Sequence, residues 1–145
     1  GNFELNSSSY GWKLGEKGVD ALGSGNHIFV SDTGTYQISQ SWGTNRYCKI
    51  NNINNILIGT RTNFPWDGVD VFCNIVRETN SIKAYLNGVL DKNITNAADG
   101  LTDGEVSVCD GFWTHQIKML YLGGGLDATK CSDFNDAYDD YLNSI

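Results

Sequence analysis

Short runs of β-branched and aromatic residues, each bounded by glycine, asparagine, aspartate or serine, recur along this 145-residue chain. Branched and aromatic side chains favour strands, whereas the bounding residues favour turns. The pattern predicts strands at residues 27–30, 35–39, 46–50, 55–60, 69–77, 81–86, 105–109 and 116–122, making eight or nine in all. Most of the chain is therefore expected to form sheet.

The alternation inside these runs predicts which faces are buried. Ile82, Ala84 and Leu86 occupy one set of alternate positions, and Lys83 and Tyr85 occupy the other. Such a strand has one buried face. The run at 69–77 is apolar on both faces, which predicts a central strand covered on both sides. Next along the chain, an Asn-Gly pair at 87–88 predicts a tight hairpin and hence a meander of neighbouring strands.

Only the C-terminal segment has helical spacing. Asp133 is the predicted N-cap, and apolar residues recur at helical spacing at Phe134, Tyr138 and either Tyr141 or Leu142. Many short strands with one short C-terminal helix predict an all-β fold, a two-sheet antiparallel β-sandwich. A closed barrel is the alternative. Residues 1–145 are expected to form one such domain within a larger protein.

The charge and hydropathy of the chain limit the classes of partner that it is expected to bind. The formal net charge is −7, and residues 99–145 hold nine acidic but only two basic residues. A nucleic-acid binder needs a basic surface to displace phosphate counterions, so nucleic acid is not an expected partner. No run approaches the ~20 apolar residues of a membrane span, so membrane insertion is not expected either.

The four cysteines carry no metal or redox motif. Cys48, Cys73, Cys109 and Cys131 include no C-x-x-C pair and have no histidine at ligand spacing, which argues against zinc. Cys73 lies in an apolar run and is expected in the core. Cys109 and Cys131 could pair, although free thiols are the favoured interpretation.

No catalytic motif is present. The chain lacks a nucleophile elbow, a metal-binding H-E-x-x-H and a phosphate-binding loop. His27 and His115 are interpreted as structural residues, and the glycines at 123–125 as a bend or bulge after a strand. The prediction is therefore that the chain is not an enzyme.

Tryptophans in predicted loops are the strongest functional signal. Trp12, Trp42, Trp66 and Trp113 all lie beside short polar residues or glycine. An indole can stack on the apolar face of a sugar ring, while nearby amides and carboxylates bind its hydroxyls. The predicted ligand-binding residues are Trp42, Asn45, Trp66, Asp67 and Trp113. The alternative is that these aromatics cover the ends of the sandwich.

An acidic, glycine-containing loop is a candidate calcium site. Asp99, Asp103 and Glu105 offer oxygen ligands, and the glycines between them let backbone carbonyls turn inward, as Ca²⁺ requires. These residues could hold a calcium ion, although Asp-Gly pairs are also common in solvated turns.

Two segments carry a family resemblance. Residues 66–71 with 82–89 (WDGVDV and IKAYLNGV), and residues 120–124 with 134–138 (LYLGG and FNDAY), resemble the concanavalin A-like, laminin-G-like superfamily of lectins and glucanases. The resemblance covers residues 66–142 and implies a jelly-roll sandwich. The catalytic E-x-D-x-x-E strand of the glucanase branch is missing, so the resemblance implies binding without cleavage.

These observations predict a non-catalytic carbohydrate-binding module of an extracellular, cell-surface or virion protein. Its expected partner is a glycan or a host or cell-surface receptor. The alternative is a structural or assembly domain without a glycan ligand, in which the aromatics pack a subunit interface and the chain forms a homo-oligomer.

Overall fold

The computed structural model describes residues 4–14, 27–31, 36–42, 45–52, 54, 56–60, 72–99, 106–110 and 117–145. Within these ranges the chain forms ten strands and one helix. They are β1 (Ser8–Leu14), β2 (His27–Ser31), β3 (Tyr36–Trp42), β4 (Asn45–Ile50), β5 (Ile56–Thr60), β6 (Phe72–Glu78), β7 (Ser81–Leu86), β8 (Val89–Thr95), β9 (Val106–Asp110), β10 (Ile117–Gly124) and α1 (Ala128–Asn143).

The strands form two five-stranded antiparallel sheets. Sheet A has the order β10-β1-β6-β7-β8, and sheet B has the order β5-β4-β3-β2-β9. Consecutive strands pair from β6 to β8 and from β2 to β5, which confirms the predicted meander. Because the described ranges give two separate sheets, a β-sandwich is supported over a single closed barrel.

The main core lies between the sheets. Its buried members are Tyr10, Trp12, Cys48, Ile50, Ile58, Cys73, Ile75, Ile82 and Ala84. The alternation predicted for β7 is confirmed, since Ile82 and Ala84 are buried here and Leu86 packs against them. β6 is the central strand of sheet A and is buried on both faces from Phe72 to Arg77, also as predicted.

The helix covers the outer face of sheet A. Phe134 packs edge-on against Phe72 and Tyr121, with ring centroids 5.4 Å and 4.9 Å apart, and Tyr138 stacks on Phe72 at 5.9 Å. The predicted N-cap was wrong. Asp127 caps the helix, accepting the Lys130 N–H at 2.9 Å, because its extended backbone directs its carboxylate onto the first turn.

Two strands were missed by the sequence patterns. β1 lies between β10 and β6, and Trp12 is buried within it, so the prediction that Trp12 lies in a loop was wrong. The hydrophobic pattern did not predict this strand because Ser8 and Ser9 are polar, although both are buried. β8 was not predicted because it contains charged residues. An edge strand tolerates such residues because it is half exposed.

The described thiols are free. Cys48, Cys73 and Cys131 are buried and unbonded, which confirms Cys73 as a core residue. Because Cys131 is a free thiol on the inner side of α1, the suggested pairing of Cys109 with Cys131 was wrong. Burial raises the pKa of Cys48 to about 12 and that of Cys131 to about 11, which keeps both protonated near neutral pH.

Candidate functional site

The β3–β4 hairpin brings two of the predicted ligand-binding residues together. Trp42 is the last residue of β3, Asn45 is the first of β4, and the two are direct partners in the ladder. Directly opposed positions of an antiparallel pair share a face, with Cβ atoms about 5 Å apart. The backbone register therefore makes an aromatic and an amide residue cross-strand partners at one end of sheet B.

The other predicted site residues fall largely outside the described part of the chain. Trp66, Asp67, Trp113, Asp103 and Glu105 all lie outside it. Asp99 is exposed, and its backbone N–H donates to the Asn51 carbonyl at 3.0 Å. Among the described residues, no three His, Cys, Asp or Glu side chains cluster as metal ligands would.

A buried arginine, which the sequence patterns did not single out, organises the opposite end of the sandwich. Arg77 leaves β6 on the inner face, and its Nε and Nη2 atoms donate to the Ile50 carbonyl at 3.0 Å and 2.7 Å. Nη2 also donates to Asn96 Oδ1 at 2.6 Å, and Nη1 donates to the Asn96 carbonyl. Burial lowers the pKa of Arg77, but an arginine stays charged at neutral pH. The guanidinium therefore joins β6, β4 and the segment after β8.

Two asparagines extend this network. Asn51 has a φ of 53°, and its Nδ2 contacts the Glu4 carbonyl, the Leu5 carbonyl and Ser8 Oγ at 3.0, 2.9 and 2.8 Å. Asn52 Nδ2 donates to the Ala97 carbonyl at 2.9 Å. Asparagine tolerates the left-handed conformation that this turn needs. The result is a tightly bonded end, which suits a structural role more than a ligand site.

A cleft lies where β10 meets the helix. We call it the β10–α1 cleft; its volume is about 420 Å³, and its lining residues are Ser9, Tyr121, Gly123, Gly124, Gly125, Leu126, Lys130 and Phe134. A smaller notch of about 230 Å³ adjoins it and shares Gly125, Leu126 and Lys130 with it. The sequence predicts only a bend or bulge at these glycines, and no local pattern reveals a cleft built from β1, β10 and α1.

Comparisons with known proteins identify the fold. No protein-family model and no curated protein matches this chain in sequence. Among solved structures, the botulinum neurotoxin serotype D binding domain matches 92% of this chain with a TM-score of 0.68 at 12% identity. The serotype G binding domain matches 92% with a TM-score of 0.64 at 14% identity.

A third structure, the binding domain of botulinum neurotoxin DC in complex with rat synaptotagmin II, matches 92% of this chain with a TM-score of 0.64 at 14% identity. Each match covers only 36% to 37% of the neurotoxin chain, so this chain spans little more than a third of those structures. The likeness shows that the chain has a β-sandwich fold found within these binding domains. Within the described residues, no helix is both long and apolar enough to cross a bilayer.

Proposed function

We propose that this chain is a non-catalytic carbohydrate-binding module of an extracellular, cell-surface or virion protein. The observation that carries the proposal is the pairing of Trp42 with Asn45 at the end of the β3–β4 hairpin. Tryptophan and asparagine at paired positions are a suitable combination for a sugar ring, since the apolar ring face and the hydroxyls need different partners.

The fold likeness supports binding as the general role. The matched neurotoxin structures are binding domains, and one is in complex with rat synaptotagmin II. A host or cell-surface receptor is therefore a proposed partner beside a glycan. The net charge of −7 argues against nucleic acid. Calcium at Asp99, Asp103 and Glu105 is a further proposal, since these residues supply the oxygen ligands that calcium prefers.

A glycan-array screen, run with calcium and again with a chelator, tests the proposal. Hits are then titrated with the wild type, Trp42→Ala and Asn45→Ala. We expect both substitutions to weaken binding by about tenfold or more, as loss of a central aromatic or polar contact does. Tyr141→Ala is the matched control, because Tyr141 is an exposed aromatic on α1. Equal binding by Trp42→Ala and Tyr141→Ala would refute the hairpin as the site.

A structural or assembly role is the second candidate, and one surface favours it. Val89 and Leu90 are 71% and 49% exposed at the start of the edge strand β8. Exposed apolar side chains on a sheet edge are typical of contacts between chains. Sedimentation at increasing concentration tests this role: self-association that Val89→Lys abolishes, together with an empty glycan array, would favour assembly over glycan binding.

A further inference from the structure

We propose that the β10–α1 cleft is a second saccharide site, which binds one neutral hexopyranose ring. The inference rests on the proposed carbohydrate-binding function but places a separate site in a different part of the fold. Small-molecule pockets have volumes of about 300–1,000 Å³. At about 420 Å³ and open on one side, the cleft is sized for a single sugar unit.

The walls of the cleft combine the two kinds of surface that a sugar needs. Tyr121, Leu126 and Phe134 supply apolar surface from β10 and the helix side. Ser9 lies beneath the cleft, where its hydroxyl is fully buried and donates to the Gly124 carbonyl at 2.6 Å, which fixes the backbone of the cleft floor. The ammonium of Lys130 supplies donors at the rim.

Gly123 is the observation that points most directly to a ligand. A Cβ atom added at Gly123 would meet no heavy atom within 4 Å, and its φ lies outside the range that favours glycine. In contrast, a Cβ at Gly11 would lie 2.3 Å from the Tyr121 ring, and one at Gly125 would lie 2.7 Å from Ser7 Oγ. Packing therefore explains the other two glycines but not Gly123. Its effect is to keep the floor of the cleft open.

The charges around the cleft favour a neutral ligand. Lys130 forms an ion pair with Asp127 at 3.2 Å, so the positive charge of this lining residue is balanced by a neighbouring carboxylate. Asp133, Asp136 and Asp140 lie further along the same helix, and all three are exposed. An anionic sugar such as a sialic acid would be repelled by this acidic helix.

This site is independent of the Trp42 hairpin. β4 runs from Asn45 beside Trp42 to Ile50, whose carbonyl is bonded by Arg77. Arg77 pairs with Ser8, and Ser8 pairs with Gly124 beside the cleft. The hairpin and the cleft therefore lie at opposite ends of the sandwich, separated by about 17 Å of strand along β4. A substitution in the hairpin should therefore leave binding in the cleft unchanged, and a substitution in the cleft should leave binding at the hairpin unchanged.

Saturation-transfer NMR on the full chain tests the proposal with the methyl glycosides of glucose, mannose and galactose as probes. Gly123→Leu fills the cleft, and we expect it to weaken binding of the preferred glycoside by about tenfold. Gly123→Ala gives a smaller loss and serves if the leucine variant folds poorly. Leu122→Ala is the matched control. Leu122 is 48% exposed, and because it directly precedes Gly123 in β10 it faces the other side of the sheet.

Each result supports or overturns the second site. Loss of signal in Gly123→Leu, with signal kept in Leu122→Ala and Trp42→Ala, supports it. Loss in Trp42→Ala alone overturns it but leaves the proposed function intact. Glycan-array hits without any monosaccharide signal in the wild type also overturn only the second site. Silence in both assays refutes the second site and the carbohydrate-binding function together.

Discussion

Buried polar groups on the two faces of β6 differ in whether they have hydrogen-bond partners. Toward sheet B, the strand places Cys73 and Ile75 in an aliphatic core, and every guanidinium nitrogen of Arg77 has an acceptor. Toward α1, it places Phe72 and Asn74 beneath an aromatic layer. Both amide atoms of buried Asn74 lack a hydrogen-bond partner among the described residues.

The helix-side layer holds further unpaired polar atoms. Tyr121 Oη and Asn135 Oδ1 are buried there without a partner in the described part of the chain, whereas the Arg77 side has one such atom, Asn51 Oδ1. An unpaired buried polar group costs about 1–3 kcal/mol, whereas a bonded network is costly only when it is broken. The contrast suggests that the sheet–sheet interface fixes the fold, while the helix-side interface is the weaker one and opens first.

The largest expected effect comes from breaking the bonded side. Arg77→Met keeps an apolar stem of similar length but leaves the Ile50 carbonyl and both Asn96 oxygens without their donor. We expect the free energy of unfolding to fall by about 3–5 kcal/mol, as it does when one partner of a buried charged network is removed. Urea denaturation measures the change.

Lys83→Met is the matched control for that substitution. Lys83 is also a strand cation on sheet A, but it binds a partly exposed carboxylate, Glu78, at 2.7 Å. Pairs of this kind contribute less than about 1 kcal/mol. If the Arg77 and Lys83 variants were equally stable, the network would not be what holds this end of the sandwich together.

The second prediction concerns the helix-side face. Phe134→Ala removes the ring that packs on Phe72 and Tyr121, and we expect a loss of about 3 kcal/mol. Hydrogen exchange should show the amides of α1 losing protection before those of β6 and β7. Tyr141→Ala, on the exposed side of the same helix, should leave exchange nearly unchanged. If the amides of the helix and of the sheets lost protection at the same time, the helix-side layer would not be the weaker one.

Local patterns were enough to predict the buried face of β7 and the hairpin that follows it. The alternation of Ile82 and Ala84 predicted their burial, and the pair Asn87 and Gly88 adopts the positive φ values of 49° and 79° that its hairpin requires. Both signals arise from neighbouring residues, so a single strand or turn contains them. β1 carries no such signal, since its serines are buried only because two other strands flank it.

The candidate sites depend more on topology. Trp42 and Asn45 are three residues apart, so their proximity at a turn could be predicted. Arg77 reaches acceptors 27 and 19 residues away: Ile50 becomes its neighbour only when the two sheets stack, and Asn96 only when β8 pairs with β7 in the same sheet. The β10–α1 cleft joins residues from both ends of the chain, and no spacing in the sequence indicates that they meet.

The third prediction uses pH to compare thiols on the two sides. Burial raises the folded pKa of Cys48, on the inner side, to about 12 and that of Cys131, under the helix, to about 11, from a reference of 9.0. The unfolded thiol ionises first, so the stabilising contribution is complete below about pH 9 and is lost as pH rises toward the folded pKa. Each thiol should contribute a loss of about 1.4 kcal/mol per pH unit in that interval.

Urea midpoints at pH 8, 9 and 10 measure this slope, and Cys48→Ala and Cys131→Ala isolate the contribution of each thiol from that of the other titrating groups. Each variant should show a shallower decline between pH 9 and 10 than the wild type. Thiol labelling of the native protein provides the side-specific readout. Cys131 should react before Cys48, since the helix opens more readily than the sheets separate; the reverse order would overturn the comparison.

The smallest expected effect is at the cap of the helix. Asp127 accepts the Lys130 backbone N–H at 2.9 Å, and this bond, followed by the Lys130 side chain, lowers the pKa of the Asp127 carboxyl. Because the pKa is lowered on folding, the contribution is present above the unfolded pKa and is lost as pH falls through the folded value. Asp127→Ala should therefore lower the unfolding midpoint slightly at pH 7, and this difference should disappear in strong acid. Asp127→Asn keeps an acceptor for the cap and should retain most of the stability without the pH dependence. A larger loss in Asp127→Asn than in Asp127→Ala would show that the cap bond does not anchor the start of α1, and the helix-side layer would then depend on its aromatic contacts alone.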